Sequence, residues 1–188
     1  MKIAFVPIDN RPVCYTLPKL AAALNSEIEF YVPDRKLLGG LQKIADIEGL
    51  FEWLVSLNDV DAIILSLDTL AYGGLIPSRR CPETFEEIKT RIETLKEILE
   101  DKNCKVYAFS SIMRISNNNY NEEEKEYWAQ WGKKIFKYSY QTDKLGGKDG
   151  MIHDIPSEII DDYIETRRRN FETVSYTHLR AHETKANL

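Results

Sequence analysis

Charged and polar side chains follow four short apolar runs of this sequence, at the points where each run ends. If the runs are parallel strands, their carboxyl ends meet at one edge of a sheet, which is where α/β proteins bind ligands. The candidate site residues are Asp9, Asn10, Arg11, Asp34, Asp68, Tyr72, Arg79 and Arg114. Like charges crowded at one edge destabilise a protein unless they are paired, hydrated or used. The pattern therefore favours a functional site.

Two kinds of chemistry suit these residue types. Asp9 and Asp68 could act as general acid and base, or they could hold a divalent cation through their oxygen atoms. Arg11 and Arg114 could each bind a carboxylate or phosphate group in a bidentate manner. We take Asp9 and Asp68 as candidate catalytic residues and the others as candidate substrate-binding residues, and we assign no residue to a metal.

Each of these residues also has a purely structural interpretation. Asp9 or Asn10 could hydrogen-bond its own turn, and Asp34 could cap the turn in which it lies. Gly73 could give backbone freedom to a loop, and Arg79 could be an ordinary surface charge. The functional hypothesis depends on the polar groups lying together in space, which the sequence leaves open.

The four apolar runs predict buried strands, because they are short, rich in β-branched and aromatic residues, and bounded by turn signals. The predicted strands span residues 2–8, 27–32, 61–67 and 105–112. Apolar residues at helical spacing predict helices between and after them. The predicted helices span residues 15–24, 44–57, 83–100, 121–140 and 157 to about 171. We expect Arg167, Arg168 and Arg169 near the C-terminus of the last helix, where the helix dipole favours cations.

The alternation of strands and helices indicates right-handed βαβ units and a parallel sheet. We predict an α/β fold of the Rossmann-like three-layer type, with a parallel β-sheet and flanking helices, truncated before its next strand. The alternative is the first part of a (β/α) barrel, in which all four strand ends would face one site. The open sheet is favoured, because turn chemistry can explain the outer polar residues.

The composition is that of an ordinary globular protein, with 43% hydrophobic and 29% charged residues. The net charge of −5 argues against a nucleic-acid partner. No apolar run is long enough to cross a bilayer, and the first residues do not resemble a signal peptide, so we expect no membrane partner. The three cysteines have no metal-binding spacing, and we expect reduced thiols in a cytoplasmic protein. The oligomeric state stays open.

Residues 174–184, VSYTHLRAHET, resemble the translation of a transposon-end adapter used to prepare sequencing libraries. We therefore expect residues 174–188 to be a non-native, unstructured tail. Residues 1–173 would then be the N-terminal part of a larger α/β domain. The exclusion matters because His178 and His182 have the spacing of a zinc half-site on a helix, an interpretation that we reject together with the tail.

Several of the same motifs carry a family resemblance. They are PIDNRPV at residues 7–13, LLG at 37–39, SLDTLAYGGL at 66–75 with Ser78 and Arg79, IMR at 112–114 and TRRRN at 166–170. Across residues 1–173 this pattern resembles the bacterial domain-of-unknown-function 4127 family. The resemblance implies a longer protein with further acidic motifs downstream, and it supplies no established activity.

The favoured functional hypothesis is an enzyme acting on a small polar substrate, such as a hydrolase of a sugar or sugar-like compound. The alternative is a non-catalytic module that binds a small anionic or polyol ligand through the same residues. The sequence has neither GxGxxG after the first strand nor a GxxxxGKS/T loop, so nucleotide binding by those loops is unsupported. The cofactor stays unknown, with a divalent cation as one candidate.

Overall fold

The computed structural model of this chain describes residues 1–145 and 154–181. Four strands alternate with helices along these residues. The strands are β1 (Lys2–Val6), β2 (Glu29–Tyr31), β3 (Ala62–Ser66) and β4 (Lys105–Phe109). The helices are α1 (Pro12–Ala22), α2 (Ile47–Ser56), α3 (Leu67–Tyr72), α4 (Pro77–Arg80), α5 (Phe85–Glu100), α6 (Trp128–Leu145) and α7 (Ser157–Ala181).

The strands form one parallel sheet in the order β2-β1-β3-β4. The register pairs Val6 of β1 with Leu65 of β3, and Leu65 in turn with Ala108 of β4. The predicted parallel α/β fold with flanking helices is confirmed. In a (β/α) barrel each strand pairs with the next one along the chain, whereas here β1 lies between β2 and β3. The observed order is therefore that of an open sheet.

The main hydrophobic core forms where β1 and β3, the two inner strands, meet the helices. Ile63 and Leu65 of β3 have no exposed surface, which is expected for a central parallel strand covered on both faces. Leu50 and Leu54 of α2 are equally buried and belong to the same cluster. Helix α2 begins at the N-cap Asp46, whose side chain accepts a hydrogen bond from the backbone of Gly49.

Strand β4 differs from its prediction as a buried strand. All five of its residues are exposed, and they include Val106, Tyr107 and Phe109. The reason is its position at the edge of the sheet, since helices α6 and α7 pack together elsewhere, around Trp128 and Tyr163. The apolar sequence of β4 correctly predicts a strand, but it does not indicate which strand of the sheet lies at the edge.

Gly73 and Gly74 lie in the short loop between two short helices, α3 and α4, which agrees with the backbone freedom expected of Gly73. Ser66 caps α3, because its hydroxyl accepts a hydrogen bond from the backbone N–H of Thr69 at 3.3 Å. Gly73 ends α3 in the left-handed conformation, with φ of 81°. Residues 67–72 therefore turn sharply back over the carboxyl end of β3.

Helix α7 extends well past residue 171, where it was predicted to end. It continues through residues 174–181, so this part of the segment expected to be unstructured is helical. Tyr176 packs edge-on against Phe85 and donates a hydrogen bond to Glu93 at 2.8 Å. His182 and the side chain of His178 lie outside the described residues, and the adapter origin of the segment stays a prediction. No helix in the described part of the chain is long and apolar enough to span a membrane.

The position of Gly73 leads to a stability prediction. An added Cβ would collide with the Ile44 side chain, would approach the Ala45 nitrogen to 3.0 Å, and would force a left-handed φ on an alanine. We expect Gly73→Ala to lower the free energy of unfolding by about 1–3 kcal/mol in urea denaturation. Gly40→Ala is the control, because its added Cβ meets only the Asn10 side chain at 3.5 Å. Equal stability of the two variants would contradict this account of the turn.

Candidate functional site

The sheet order creates a crevice at the carboxyl ends of β1 and β3. The chain runs from β1 outward to β2 and later returns to the other side of β1 to form β3. Such a reversal point is where open α/β sheets bind ligands. Asp9 follows β1 by three residues, and Asp68 lies in the first turn of α3, directly after β3. Because Val6 and Leu65 are paired, both aspartates leave the sheet at the same edge.

Asp9 is held in its ionised form by Arg11. Only 5% of the residue is exposed, and its two carboxylate oxygens are both engaged. Oδ1 accepts the backbone N–H of Arg11 at 2.9 Å, while Oδ2 accepts the side-chain Nε at 2.7 Å and contacts Nη2 at 2.6 Å. Burial raises the pKa of Asp9, but hydrogen bonds from Arg11 and the Cys14 thiol together lower it by more. The pKa of Asp9 therefore lies below its ordinary value.

Asp68 has the opposite electrostatic environment. It is 4% exposed, and its Oδ2 accepts the backbone N–H of Ser111 at 2.8 Å. Burial raises the pKa of Asp68 above its ordinary value, and hydrogen bonds from Ser110 and Ser111 offset this only in part. The pKa values of Asp9 and Asp68 are thus shifted in opposite directions, as for one ionised carboxyl group and one candidate acid.

Asp68 lines a small cleft between the strand ends and helix α7. Tyr72, Arg79, Ser110 and Ser111 line the same cleft. The Tyr72 hydroxyl lies 2.7 Å from the Thr173 hydroxyl, and burial raises the pKa of Tyr72. Three candidate residues from the sequence, Asp68, Tyr72 and Arg79, are therefore brought together. Among the residues that the structure describes, those lining this cleft do not include Asp9, Asn10 or Asp34.

Arg79 is buried rather than a surface charge, because only 6% of its side chain is exposed. Its Nη1 donates to Oε2 of Glu123 and to Oε1 of Glu124, both at 3.1 Å. Arg114 approaches the same Glu123 oxygen at 3.8 Å, although most of its side chain faces solvent. Neither Glu123 nor Glu124 is predicted from the sequence, because both lie in an acidic run that is typical of a solvated surface.

Asn10 and Asp34 have structural contacts of their own, in the loops after β1 and β2. Asp34 is exposed and accepts the backbone N–H of Lys36 at 2.9 Å, which is the turn-capping interpretation. Arg35 donates to the carbonyl oxygen of Asn10 from Nε at 3.0 Å and from Nη2 at 2.7 Å. The loop after β2 is thereby tied to the loop after β1. The binding roles assigned to Asn10 and Asp34 stay predictions.

Arg169 joins helix α7 to the segment that carries the cleft residues. Its guanidinium donates to the carbonyl oxygens of Ser78, Cys81 and Glu83 at 2.7–2.9 Å. The same group lies over the Tyr72 ring, 5.5 Å from the centroid. The expectation that the arginine triplet lies near the C-terminus of the last helix is wrong, because α7 continues to Ala181. Arg169 is instead buried, with 4% of its surface exposed.

The described residues contain no group of three or more histidine, cysteine, aspartate or glutamate side chains arranged to hold a metal ion. Asp9 has both oxygens engaged by Arg11, and Asp68 has one oxygen engaged by Ser111. Within this part of the chain, the aspartates of the crevice therefore have guanidinium and amide partners.

A protein-family model described as "Protein of unknown function (DUF4127)" matches residues 3–184 of the chain. The match covers nearly the whole sequence, and the chain belongs to this family. No curated protein and no solved structure matches the chain.

The arginine triplet offers a matched pair of variants. Arg169→Lys keeps the charge but loses the planar fork that reaches three carbonyl oxygens, so we expect a loss of roughly 1.5–3 kcal/mol in the free energy of unfolding. Arg168→Lys affects only an exposed residue paired with Glu165 and Glu172, and we expect a change within about 0.5 kcal/mol. Chemical denaturation of both variants measures the difference. Equal losses would show that Arg169 does not anchor α7.

Proposed function

We propose that this member of the DUF4127 family is an enzyme that acts on a small polar substrate, with Asp68 as the residue that exchanges a proton. The observation that carries the proposal is a nearly buried carboxyl group, with a raised pKa, lining a cleft at the crevice of an open α/β sheet. A pKa raised toward the working pH keeps part of an acid protonated and able to donate.

In the proposed reaction, neutral Asp68 donates its proton to an oxygen of the substrate as a bond to that oxygen breaks. The carboxylate left behind keeps the hydrogen bond from the Ser111 backbone N–H, which stabilises its negative charge. Arg79, on the wall of the same cleft, supplies a fixed positive charge for the substrate. A water molecule attacks the carbon from which that oxygen departs and forms the new C–O bond, and the proton that this water loses restores neutral Asp68. This sequence is that of a hydrolase, and a sugar or sugar-like compound is the substrate that we propose.

Asp9 has a different role in this proposal, because it is ionised and both of its oxygens contact Arg11. It holds the Arg11 guanidinium at the edge of the crevice. The three free cysteines, Cys14, Cys81 and Cys104, support a reducing cytoplasmic location for the enzyme.

The engagement of Asp9 also favours a second candidate, a non-catalytic small-ligand-binding module. With both Asp9 oxygens held by Arg11, Asp68 is the one carboxyl group of the pair that lines the cleft. A single carboxyl group and an arginine are sufficient to recognise a polyol or an anion without chemical change.

A substitution at Asp68 separates the two candidates. The protein is first assayed for binding and hydrolysis with a panel of p-nitrophenyl glycosides. For a compound that is hydrolysed, we expect Asp68→Asn to reduce kcat by about 10²–10⁴-fold with little change in Kd, because only proton transfer is lost. Asp101→Asn is the control and should retain turnover, since Asp101 is an exposed residue at the end of helix α5.

Two outcomes would contradict the enzyme proposal. Full turnover by Asp68→Asn would show that Asp68 exchanges no essential proton. Tight binding of panel members with no turnover by the unsubstituted protein would support the binding module instead.

A further inference from the structure

We infer that Arg79 and Arg114 form a binding site for a small oxyanion, a carboxylate or phosphate group, and that the Glu123 carboxylate occupies this site in the ligand-free protein. The inference rests on the proposed function in one respect, because Arg79 also lines the Asp68 cleft. It adds the substrate class, a compound carrying one anionic group, and a residue that must move when the compound binds.

The hydrogen bonding of the buried Arg79 guanidinium is incomplete. Its Nη1 contacts both glutamates, whereas its Nε is buried without a hydrogen-bond partner. A guanidinium stays protonated in proteins, so an unpaired buried N–H is a standing cost of about 1–3 kcal/mol. An oxyanion in the place of the Glu123 carboxylate could engage Nη1 and the neighbouring Nη2 together, which a guanidinium fork is suited to do.

The two glutamates that contact Arg79 differ in their exposure to solvent. Glu124 is buried, with 9% of its side chain exposed, and its Oε1 also accepts the Ser116 hydroxyl at 3.4 Å. Glu123 is 38% exposed, and its Oε2 contacts Arg79 at 3.1 Å and Arg114 at 3.8 Å. Because Glu123 already borders water, its carboxylate can leave Arg79 more easily than that of the buried Glu124, which stays in place.

The charges of the two arginines and the two glutamates balance in the ligand-free protein. Arg79 and Arg114 face Glu123 and Glu124, and the four charges cancel. When Glu123 leaves, one positive charge is unbalanced, which matches one anionic group of a ligand.

Rotation of the Glu123 side chain alone is sufficient to open the site. The chain just after Glu124 is fixed, because Lys125 contacts Asp162 at 2.7 Å and the Tyr127 hydroxyl donates to the same carboxylate at 2.8 Å. The backbone that carries Glu123 is therefore anchored, and displacement of its carboxylate needs no movement of helix α6 or α7.

The test is a titration with inorganic phosphate at low ionic strength, followed by amide chemical shifts, on the unsubstituted protein and on Glu123→Gln. Removal of the competing carboxylate should tighten phosphate binding by on the order of tenfold. Glu122→Gln is the matched control, since Glu122 is the exposed neighbour and removes the same formal charge. Equal tightening in both variants would overturn the inference, because it would reflect net charge alone.

Variants of the arginines complete the test. Combining Glu123→Gln with Arg79→Lys, or with Arg114→Gln, should abolish the gain in phosphate affinity. Arg114 is largely exposed, so that second double variant should fold even where a change at buried Arg79 prevents folding. Unchanged phosphate affinity in a folded double variant would overturn the site. A parallel titration with acetate distinguishes a carboxylate ligand from a phosphate ligand by which anion binds more tightly.

The outcome is distinguishable from failure of the proposed function. Asp68→Asn should bind phosphate as tightly as the unsubstituted protein, because Asp68 is not among the groups that contact Glu123. If Asp68→Asn keeps full turnover while Glu123→Gln tightens phosphate binding, the anion site stands and the catalytic assignment falls.

Discussion

The hydrogen bond from the Ser111 backbone N–H to the Asp68 carboxylate is the interaction on which the candidate site depends. It joins the residue that follows β3 to the residues that follow β4, at the carboxyl edge of the sheet. A buried carboxyl group needs such a partner, because an unpaired charge in this position would be strongly unfavourable. The N–H offsets the burial of Asp68 only in part, so the pKa of Asp68 is raised above its ordinary value.

The rest of the structure keeps Asp68 in this position. Parallel pairing of β1 with β3 places the ionised Asp9 at the same edge, and the caps at Ser66 and Gly73 define the short helix that carries Asp68. Helix α7 then closes the cleft, because Arg169 binds the carbonyl groups around α4. A natural protein tolerates a destabilised buried acid where the surrounding contacts are sufficient to hold it, and such acids concentrate at functional sites.

Much of the fold was predictable, because β-branched strands and amphipathic helices have clear periodic patterns. The common edge of Asp9 and Asp68 followed from parallel pairing alone. The sequence could not distinguish Arg169 from Arg168, since neighbours of identical type differ only in the helix face on which they lie. Nor could it assign Glu123 and Glu124, because Arg79, the partner that both contact, lies 44 and 45 positions earlier in the chain. The exposure of β4 depended on the strand order, which no local pattern specifies.

The most direct test is a titration of the aspartate carboxyl groups by carbon-13 NMR, with Asp68 identified by its loss in Asp68→Asn. The account predicts a titration midpoint above 3.8 for Asp68 and below 3.8 for Asp9. A raised folded pKa means that the stability contributed by protonated Asp68 is present below pH 3.8 and is lost as the pH rises through the folded pKa. A midpoint for Asp68 at or below 3.8 would contradict the claim that this residue is a proton donor.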